Sequence, residues 1–539
     1  MIKYLAQTDY IAKCQLSDRK PGPTRRSLIA SLCALAALKT LPAIASENGA
    51  RVTLSLGAAA SKAIPLNYVG LSYETSQLAD PDFFAADNPE LISLFRALNP
   101  SGVLRIGGNS SEFCWWKAKP SDSPPEMPVS AHSDGNWMPQ SFTAIEPVAI
   151  DRLAGFLDAT EWQVIYGLNL GTGTPARDAE EASYVAKTLG SRLLFFQIGN
   201  EPEFYRDPNN RLRGPDWDFD KYFAEWIALA QAVIERVPDA QLGGPDVGSN
   251  ADWVVRFAEE APKHFPGRIV ACTGHYYAEG PPDSPQTTVA RLLGPDPKLD
   301  ENLARSTQAA AHANLQYRMT EGNSCYRGGM PGMSNAFCAA LWAAEFMLKL
   351  ASYGAAGVNL HGGGTKQIRL SLGGHLPGEG LTPEGKAAAA QGSFYTPIAG
   401  SRESGFIARP VFYGMKVAGL LAGGRMRSIS FDPPLMQSTA WAAEMTDGST
   451  RVIVLNKDTQ QRMNLDIRST RAARLWRLQA PDLTATSGVS LAGATIEVGH
   501  EWKPKEEEHL PSRVGKVQAI LPHASAAVLF FDHGLDEVG

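Results

Sequence analysis

Short apolar or β-branched runs recur eight times between residues 66 and 361, each separated from the next by a stretch of helical period. The runs are Leu66 to Glu74, Val103 to Gly107, Gln163 to Leu170, Leu194 to Gly199, Gln241 to Gly244, Ile269 to Tyr277, Tyr317 to Thr320 and Gly357 to Leu360. Near-continuous apolar runs predict strands buried on both faces, as in a parallel sheet covered by helices. Eight repeats predict an α/β fold closed into a (β/α)8 TIM barrel rather than an open sheet. The intervening segments carry helix starts. Asn88-Pro89-Glu90 sets a capping side chain before Pro at the first helical position, and Asp178, Asp218 and Asn335 offer similar caps. From Asp220 to Val237 one face collects Tyr222, Phe223, Trp226, Ile227, Ala230, Val233, Ile234 and Val237, which reads as a core stripe.

Outside these repeats the period falls to two. Arg51 to Leu56 alternates, and after about residue 420 come Arg451 to Leu455, Asn464 to Ile467, Arg474 to Leu478, Thr495 to Val498, Val517 to Leu521 and Ala526 to Phe531. These predict an accessory antiparallel β-sandwich built from residues 46–65 and 421–539, flanking a catalytic barrel over 66–420. The two ends of the chain would then meet in one domain.

Residues 1–45 read as an export signal. Arg25-Arg26 precede an apolar run from Leu28 to Leu38, and Ala43-Ile44-Ala45 supplies the small residues of a cleavage site. The paired arginines resemble a twin-arginine leader, which implies a periplasmic or secreted bacterial protein. The run is too short to span a bilayer, which takes about 20 residues, and no later stretch predicts a membrane span. Without the leader, 43 Lys and Arg stand against 54 Asp and Glu, a formal −11. No basic surface dominates, which excludes a general nucleic-acid or polyanion binder. An oxidising compartment allows the remaining Cys114, Cys272, Cys325 and Cys338 to pair. Cys325 with Cys338 is the nearest pair in sequence, and four buried thiols are the alternative. With no C-x-x-C, H-E-x-x-H or His-rich tract, no metal or other cofactor is expected, and nothing points to an obligate protein partner.

In such a barrel the chemistry lies at the C-terminal ends of the strands. Strand 1 ends in Tyr73-Glu74, strand 2 in Arg105-Ile106-Gly107-Gly108-Asn109, strand 4 in Gly199-Asn200-Glu201-Pro202, strand 6 in His275-Tyr276-Tyr277, strand 7 in Thr320-Glu321-Gly322-Asn323 and strand 8 in Asn359-Leu360-His361. Glu201 and Glu321 are three βα units apart, which places them across one mouth. Cleavage of a glycosidic bond needs such a pair: one carboxyl to protonate the leaving oxygen, the other to attack or stabilise the anomeric carbon.

Asn-Glu-Pro ending strand 4, His-x-Tyr ending strand 6 and a lone Glu ending strand 7 resemble the retaining glycosidases of clan A. Within the clan, Leu104-Arg105-Ile106-Gly107-Gly108-Asn109, Gln197-Ile198-Gly199-Asn200-Glu201-Pro202-Glu203 and Thr320-Glu321-Gly322-Asn323-Ser324-Cys325-Tyr326 resemble glycoside hydrolase family 79, the β-glucuronidase and heparanase family. The resemblance runs from about Leu66 to the C-terminus. It implies Glu201 as a general acid/base kept protonated in the free enzyme and Glu321 as an ionised nucleophile. It also implies that Asn200 bonds the sugar 2-hydroxyl and that Tyr277 orients Glu321. Glu74, Asp134 and His361 would take sugar hydroxyls, and Tyr326 with the backbone N–H near Ser324 would hold the uronate carboxylate. Arg327 is a nearby alternative for that charge.

Each of these residues also has a plainer reading. Glu201 alone could be a helix-start carboxylate and Glu321 a solvated strand end. His361 could be a satisfied structural histidine, and His275 could brace the site. Trp115, Trp116 and Trp137 suit sugar stacking but default to packing, while Glu203 falls beside the site or on the surface. Gly171-Thr172-Gly173 and Gly362-Gly363-Gly364-Thr365-Lys366 lack phosphate-loop spacing and read as turns. The expected activity is a retaining exo-β-glucuronidase acting on glucuronic-acid-containing carbohydrate. The rivals are an endo-acting heparanase-like enzyme, a clan relative acting on a neutral sugar and a non-catalytic carbohydrate-binding barrel.

Overall fold

The eight parallel strands of a closed barrel are Val69–Glu74, Val103–Gly107, Gln163–Leu168, Leu193–Ile198, Leu242–Gly248, Ile269–Glu279, Gln316–Cys325 and Gly357–Gly362 in the computed structural model. The first strand pairs with the second and the eighth, which closes the cylinder. The model describes residues 49–127, 138–139, 141–207 and 212–532. The leader read over residues 1–45, Asp134 and Trp137 lie outside the described residues. No helix among the described residues is long and apolar enough to cross a membrane.

Helices cover the outside of the barrel. Asn88 caps Pro89–Leu98 through a bond from Leu91 N, and Asp218 caps Phe219–Arg236 through Lys221 N. The latter helix buries Tyr222, Phe223, Trp226, Ala230 and Val233. At a period of 3.6 these share one stripe, and each large buried side chain contributes roughly 1.5–3 kcal/mol. Two expected caps are corrected. Thr174 caps Pro175–Leu189, so Asp178 falls inside that helix, where it is buried. Phe337–Ser352 begins at Ala336 without a side-chain cap, and Asn335 Oδ1 instead accepts from Gly332 N at 2.8 Å, closing a tight turn before the helix.

The accessory layer is one curled, mostly antiparallel sheet of eleven strands. Its Ala50–Ala63 strand pairs antiparallel with Arg425–Asp432 and parallel with Met463–Arg468, so both ends of the described chain meet there. Side-chain alternation gives the sheet two apolar faces. Val452, Val454, Leu529 and Phe531 join a core internal to the curled sheet. Ile453, Leu455, Val528 and Phe530 join the apolar core that also contains the barrel helices. Lys457 Nζ, at 2.6 Å from Glu345 Oε2, ties the sheet to the Phe337–Ser352 helix. Thr495 to Val498 forms no strand. Ile496 and Val498 pack against the core instead, and Ile496 N donates to Tyr413 Oη at 2.8 Å. Strands Arg425–Asp432 and Ser438–Glu444 were not anticipated. Of the two readings of the cysteines, the structure has the four buried thiols and not the Cys325–Cys338 bridge: Cys114, Cys272, Cys325 and Cys338 are all free. Cys325 Sγ donates to Tyr326 O at 3.5 Å and Cys338 Sγ to Met333 O at 3.2 Å.

Candidate active site

Two local irregularities aim the carboxylates. Glu201 follows the fourth barrel strand in the left-handed region, φ 47°, where a non-glycine side chain is strained and needs outside support. Its N–H donates to Asp246 O at 2.9 Å, and its carbonyl accepts from Phe204 N at 3.0 Å. In the seventh strand the register slips between Met319 and Glu321. Successive residues of a regular strand face opposite sides, and the bulge relaxes this rule. Thr320 Oγ1 therefore reaches Asp246 Oδ1 at 2.6 Å inside the barrel, while Glu321 next to it lines the cavity at the mouth.

At the centre lies Arg105, only 1% exposed. One terminal nitrogen of its guanidinium donates to Glu321 Oε2 at 2.7 Å; the other reaches Asp246 Oδ2 at 2.6 Å and Asn200 Oδ1 at 2.8 Å. His275 spans the gap between the acids, with Nδ1 at 3.0 Å from Glu201 Oε1 and Nε2 at 3.0 Å from Asp246 Oδ1. Tyr277 Oη donates to Glu321 Oε1 at 2.7 Å. His361 Nδ1 lies 3.6 Å from Glu321 Oε2, and its Nε2 lies 3.3 Å from Glu74 Oε1. Glu74 Oε2 also accepts from Ser110 N and Ser110 Oγ. A carboxylate oxygen of Glu201, a ring nitrogen of His275 and a carboxylate oxygen of Glu321 lie within 4.8 Å of one another. Among the described residues, these three could also hold a metal ion, but Arg105, Asp246 and Tyr277 already engage them.

The charges separate the two glutamates. Burial alone would raise the Glu321 carboxyl, but His361, His275 and Arg105, with the Tyr277 bond, hold it down to about 2. Burial likewise opposes ionisation of Asp246, and His275 and Arg105 overcome it, holding Asp246 below the usual carboxylate range. His275 moves the other way: burial disfavours its charge, but Asp246 and Glu321 raise it above the ordinary imidazole value. Glu201 meets only His275 among these charged groups, and its side chain is 21% exposed.

Glu74, Glu201, Tyr277, Glu321, Tyr326 and His361 line one cavity of about 510 Å³, joined there by Asn109 and Arg327. Asn200 lies beneath, with Oδ1 held by Arg105 and Nδ2 at 3.2 Å from Asn109 Oδ1. Ser324 is displaced from its expected role. It is fully buried, its N–H is taken by Asn323 Oδ1 at 2.8 Å, and its hydroxyl donates to Ser334 Oγ. Trp115 and Trp116 are packing residues; both are buried, with Arg177 over the first ring and Tyr184 against the second. Sequence reasoning gave no role to Asp246, Glu112 or Arg105. Glu112 accepts from Asn200 N and Gly171 N, both at 2.5 Å, and so fixes the loop that carries Glu201. Burial pushes its carboxyl up to about 7 despite those bonds. Arg105 was visible within its motif, whereas Asp246, in Gly243-Gly244-Pro245-Asp246-Val247-Gly248, lies in a segment with almost no strand signal.

No protein-family model matches the chain. It is 23% identical over 448 residues to a β-glucuronidase of Aspergillus niger, covering 75% of each chain. It is 26% identical over 337 residues to a β-glucuronidase of Neurospora crassa, covering 55% of this chain and 57% of that one. Its fold is similar to that of a 4-O-α-L-rhamnosyl-β-D-glucuronidase of Fusarium oxysporum (TM-score 0.68, 17% identity, 88% of this chain and 99% of the other). It is also similar to a family 51 arabinofuranosidase of Xanthomonas axonopodis (TM-score 0.60, 13% identity, 89% and 99%). With two acids brought together at the ends of the fourth and seventh strands of a closed barrel, and with β-glucuronidases among its relatives, the chain is a glycoside hydrolase similar to the β-glucuronidases.

Proposed function

We propose that the protein is a retaining exo-β-glucuronidase that removes terminal β-linked glucuronic acid from glycans or glycoconjugates. The approach of Glu201 and Glu321, with carboxylate oxygens within 4.8 Å, carries the retaining mechanism. Retaining pairs stand about 5–5.5 Å apart, whereas inverting pairs need about 6.5–9.5 Å to admit a water between acid and sugar. Glu321, ionised among Arg105, His361 and His275, attacks the anomeric carbon while Glu201 gives its proton to the glycosidic oxygen. The leaving group departs with that proton, and the sugar remains esterified to Glu321. Glu201, now a carboxylate, takes a proton from water as it attacks the same carbon from the face the leaving group vacated. Two inversions restore the β configuration. Tyr277 and Arg105 hold Glu321 in line for attack.

The uronate preference is supported by the names of the curated relatives and by Tyr326 and Arg327, which bring a phenol and a guanidinium to the cavity wall. The acidic balance of the chain supports exo action over cleavage within sulfated polymers, and the Arg25-Arg26 leader supports work in the periplasm or outside the cell. The test is proton NMR of 4-nitrophenyl β-glucuronide during hydrolysis, with β-glucuronic acid expected first. First appearance of the α anomer overturns retention. A preference for the β-glucoside overturns the uronate assignment, and shortening of a heparan oligosaccharide without free glucuronate overturns exo action.

A further inference from the structure

Asp246, fully buried, meets the acid Glu201 by two routes. Its carbonyl accepts from Glu201 N at 2.9 Å, and both residues stand in the left-handed region, φ 60° and 47°, a strained pair that this bond helps to hold. Its side chain works through a histidine. Oδ1 of Asp246 lies 3.0 Å from His275 Nε2, and the other ring nitrogen, Nδ1, lies 3.0 Å from Glu201 Oε1. The Asp246 carboxylate also accepts from Arg105 at 2.6 Å, from Thr320 Oγ1 at 2.6 Å and from the Gln197 amide. Ringed by donors, it stays ionised and keeps a proton on the ring nitrogen it faces. We propose that Asp246 is a positioning residue for the acid step: it keeps His275 protonated on both ring nitrogens, so that Nδ1–H covers Glu201 Oε1 and the acid proton of Glu201 rests on Oε2. The inference rests on the glucuronidase reading above.

A neutral imidazole carries one N–H, and with that proton fixed at Nε2 its Nδ1 would be a bare acceptor facing the acid. Such a nitrogen draws the Glu201 proton to Oε1, away from the glycosidic oxygen. An imidazolium does the opposite. Its Nδ1–H excludes a proton from Oε1, and the bond strengthens as Glu201 becomes a carboxylate, so the contact favours the transition state over the ground state. The surroundings of the ring support its charged form. Burial disfavours that charge, but Asp246 and Glu321, with the Glu201 bond, raise the ring to about 10. Glu203 is a further carboxyl coupled to the ring, and Arg105 is the cation that shares Asp246 with it.

The test exploits the leaving group. A 2,4-dinitrophenolate departs without a proton, whereas methoxide needs one from the general acid. The 2,4-dinitrophenyl and methyl β-glucuronides are assayed on the native protein, on Asp246→Asn, which keeps the shape and removes the charge, on His275→Gln and on the double variant. In Asp246→Asn, kcat/KM is expected to fall about 100-fold on the methyl substrate and about threefold on the dinitrophenyl one, the small common loss coming from the bond to Arg105. The double variant is expected to lie within about threefold of His275→Gln on the methyl substrate, because one residue acts through the other. Nitrogen-15 NMR of histidine-labelled native protein is expected to show both His275 ring nitrogens protonated at neutral pH, a reading that stands even if Asp246→Asn does not fold. Equal losses on the two substrates overturn the inference, as do losses that multiply in the double variant or a neutral His275 ring in the native protein. Hydrolysis of neither glucuronide by the native protein is a different pattern; it overturns the glucuronidase reading and removes the acid step that Asp246 would serve.

Discussion

Replacing Arg105 by Met tests the electrostatic core of the site. The guanidinium donates to Gln197, Ser72, Glu321, Asn200 and Asp246, and the substitution removes all five bonds while keeping much of the volume. Deleting one partner of a buried ion pair typically costs about 3–5 kcal/mol, because the other charge stays buried without compensation. Here two carboxylates lose a partner, while His275 and Thr320 still face Asp246 and Tyr277 and His361 still face Glu321. The fall of the Glu321 carboxyl from 4.5 to about 2 corresponds to roughly 3 kcal/mol in favour of its ionised form, a surplus that His361, His275 and Arg105 supply together against burial. Arg105 is one of the groups that hold this carboxyl down, so the acid limb of kcat/KM in Arg105→Met moves to higher pH. The sign for stability follows from the depressed value. The Glu321 contribution is complete above pH 4.5 and fades as pH falls toward 2, so the stability deficit of the variant is largest above pH 4.5 and narrows on acidification. Arg105→Lys keeps a cation without the fork, and its acid limb is expected between the other two. The assays are pH–rate profiles on 4-nitrophenyl β-glucuronide and urea denaturation at several pH values. If the acid limb of folded Arg105→Met overlays the native one with kcat within about twofold, Arg105 does not set the state of Glu321.

Two further outcomes follow from single contacts. Tyr277→Phe removes the 2.7 Å hydroxyl bond to Glu321 Oε1. Hydrogen bonds to a charged group are worth about 1.5–3 kcal/mol, so kcat/KM is expected to fall about 10- to 100-fold with little change in thermal midpoint; unchanged steady-state kinetics would strip Tyr277 of its orienting role. Lys457→Met leaves Glu345 unpaired where the lysine side chain was 3% exposed, and is expected to cost about 3–5 kcal/mol in urea denaturation without altering kcat/KM of the folded protein. Pairing it with Glu345→Gln should restore most of that loss, and a double variant as unstable as the single one would refute the ion-pair account.

The barrel was readable because strands buried on both faces are largely apolar, and Val103–Gly107, Leu193–Ile198 and Ile269–Glu279 follow that rule apart from polar residues such as Arg105, Gln197 and His275. The weakest barrel run was Leu242–Gly248, where Gly243, Gly244 and Pro245 hide a strand that carries Asp246. In the accessory sheet, Arg425–Asp432 alternates between polar residues and residues only partly buried, and Ser438–Glu444 is rich in alanine, so neither shows the β-branched pattern that marks a strand. Thr495 to Val498 shows the reverse case, apolar residues spent on docking to the core rather than on pairing.

For the site, position was readable and occupancy was not. Strand ends place Glu74, Glu201, Tyr277, Glu321 and His361 at one mouth because closure of the barrel brings all strand ends together. Whether a group there is free for substrate depends on partners from other strands. A backbone N–H near Ser324 is expected to meet the uronate; that of Ser324 itself is taken by its neighbour Asn323, whose amide in turn ties to His361 O and Tyr395 O. His275, by contrast, links the acid at the mouth to a buried carboxylate through its two ring nitrogens. That link decides how charge is shared between the glutamates. Arg105 bonds both Asp246 and Glu321, His275 faces Asp246 and Glu201, and Glu201, 21% exposed at its side chain against 8% for Glu321, lies at the more open edge of the site. In the proposed mechanism the carboxyl held among cations is the nucleophile and the more open one serves the leaving group, a division set by environment since the two side chains are chemically identical.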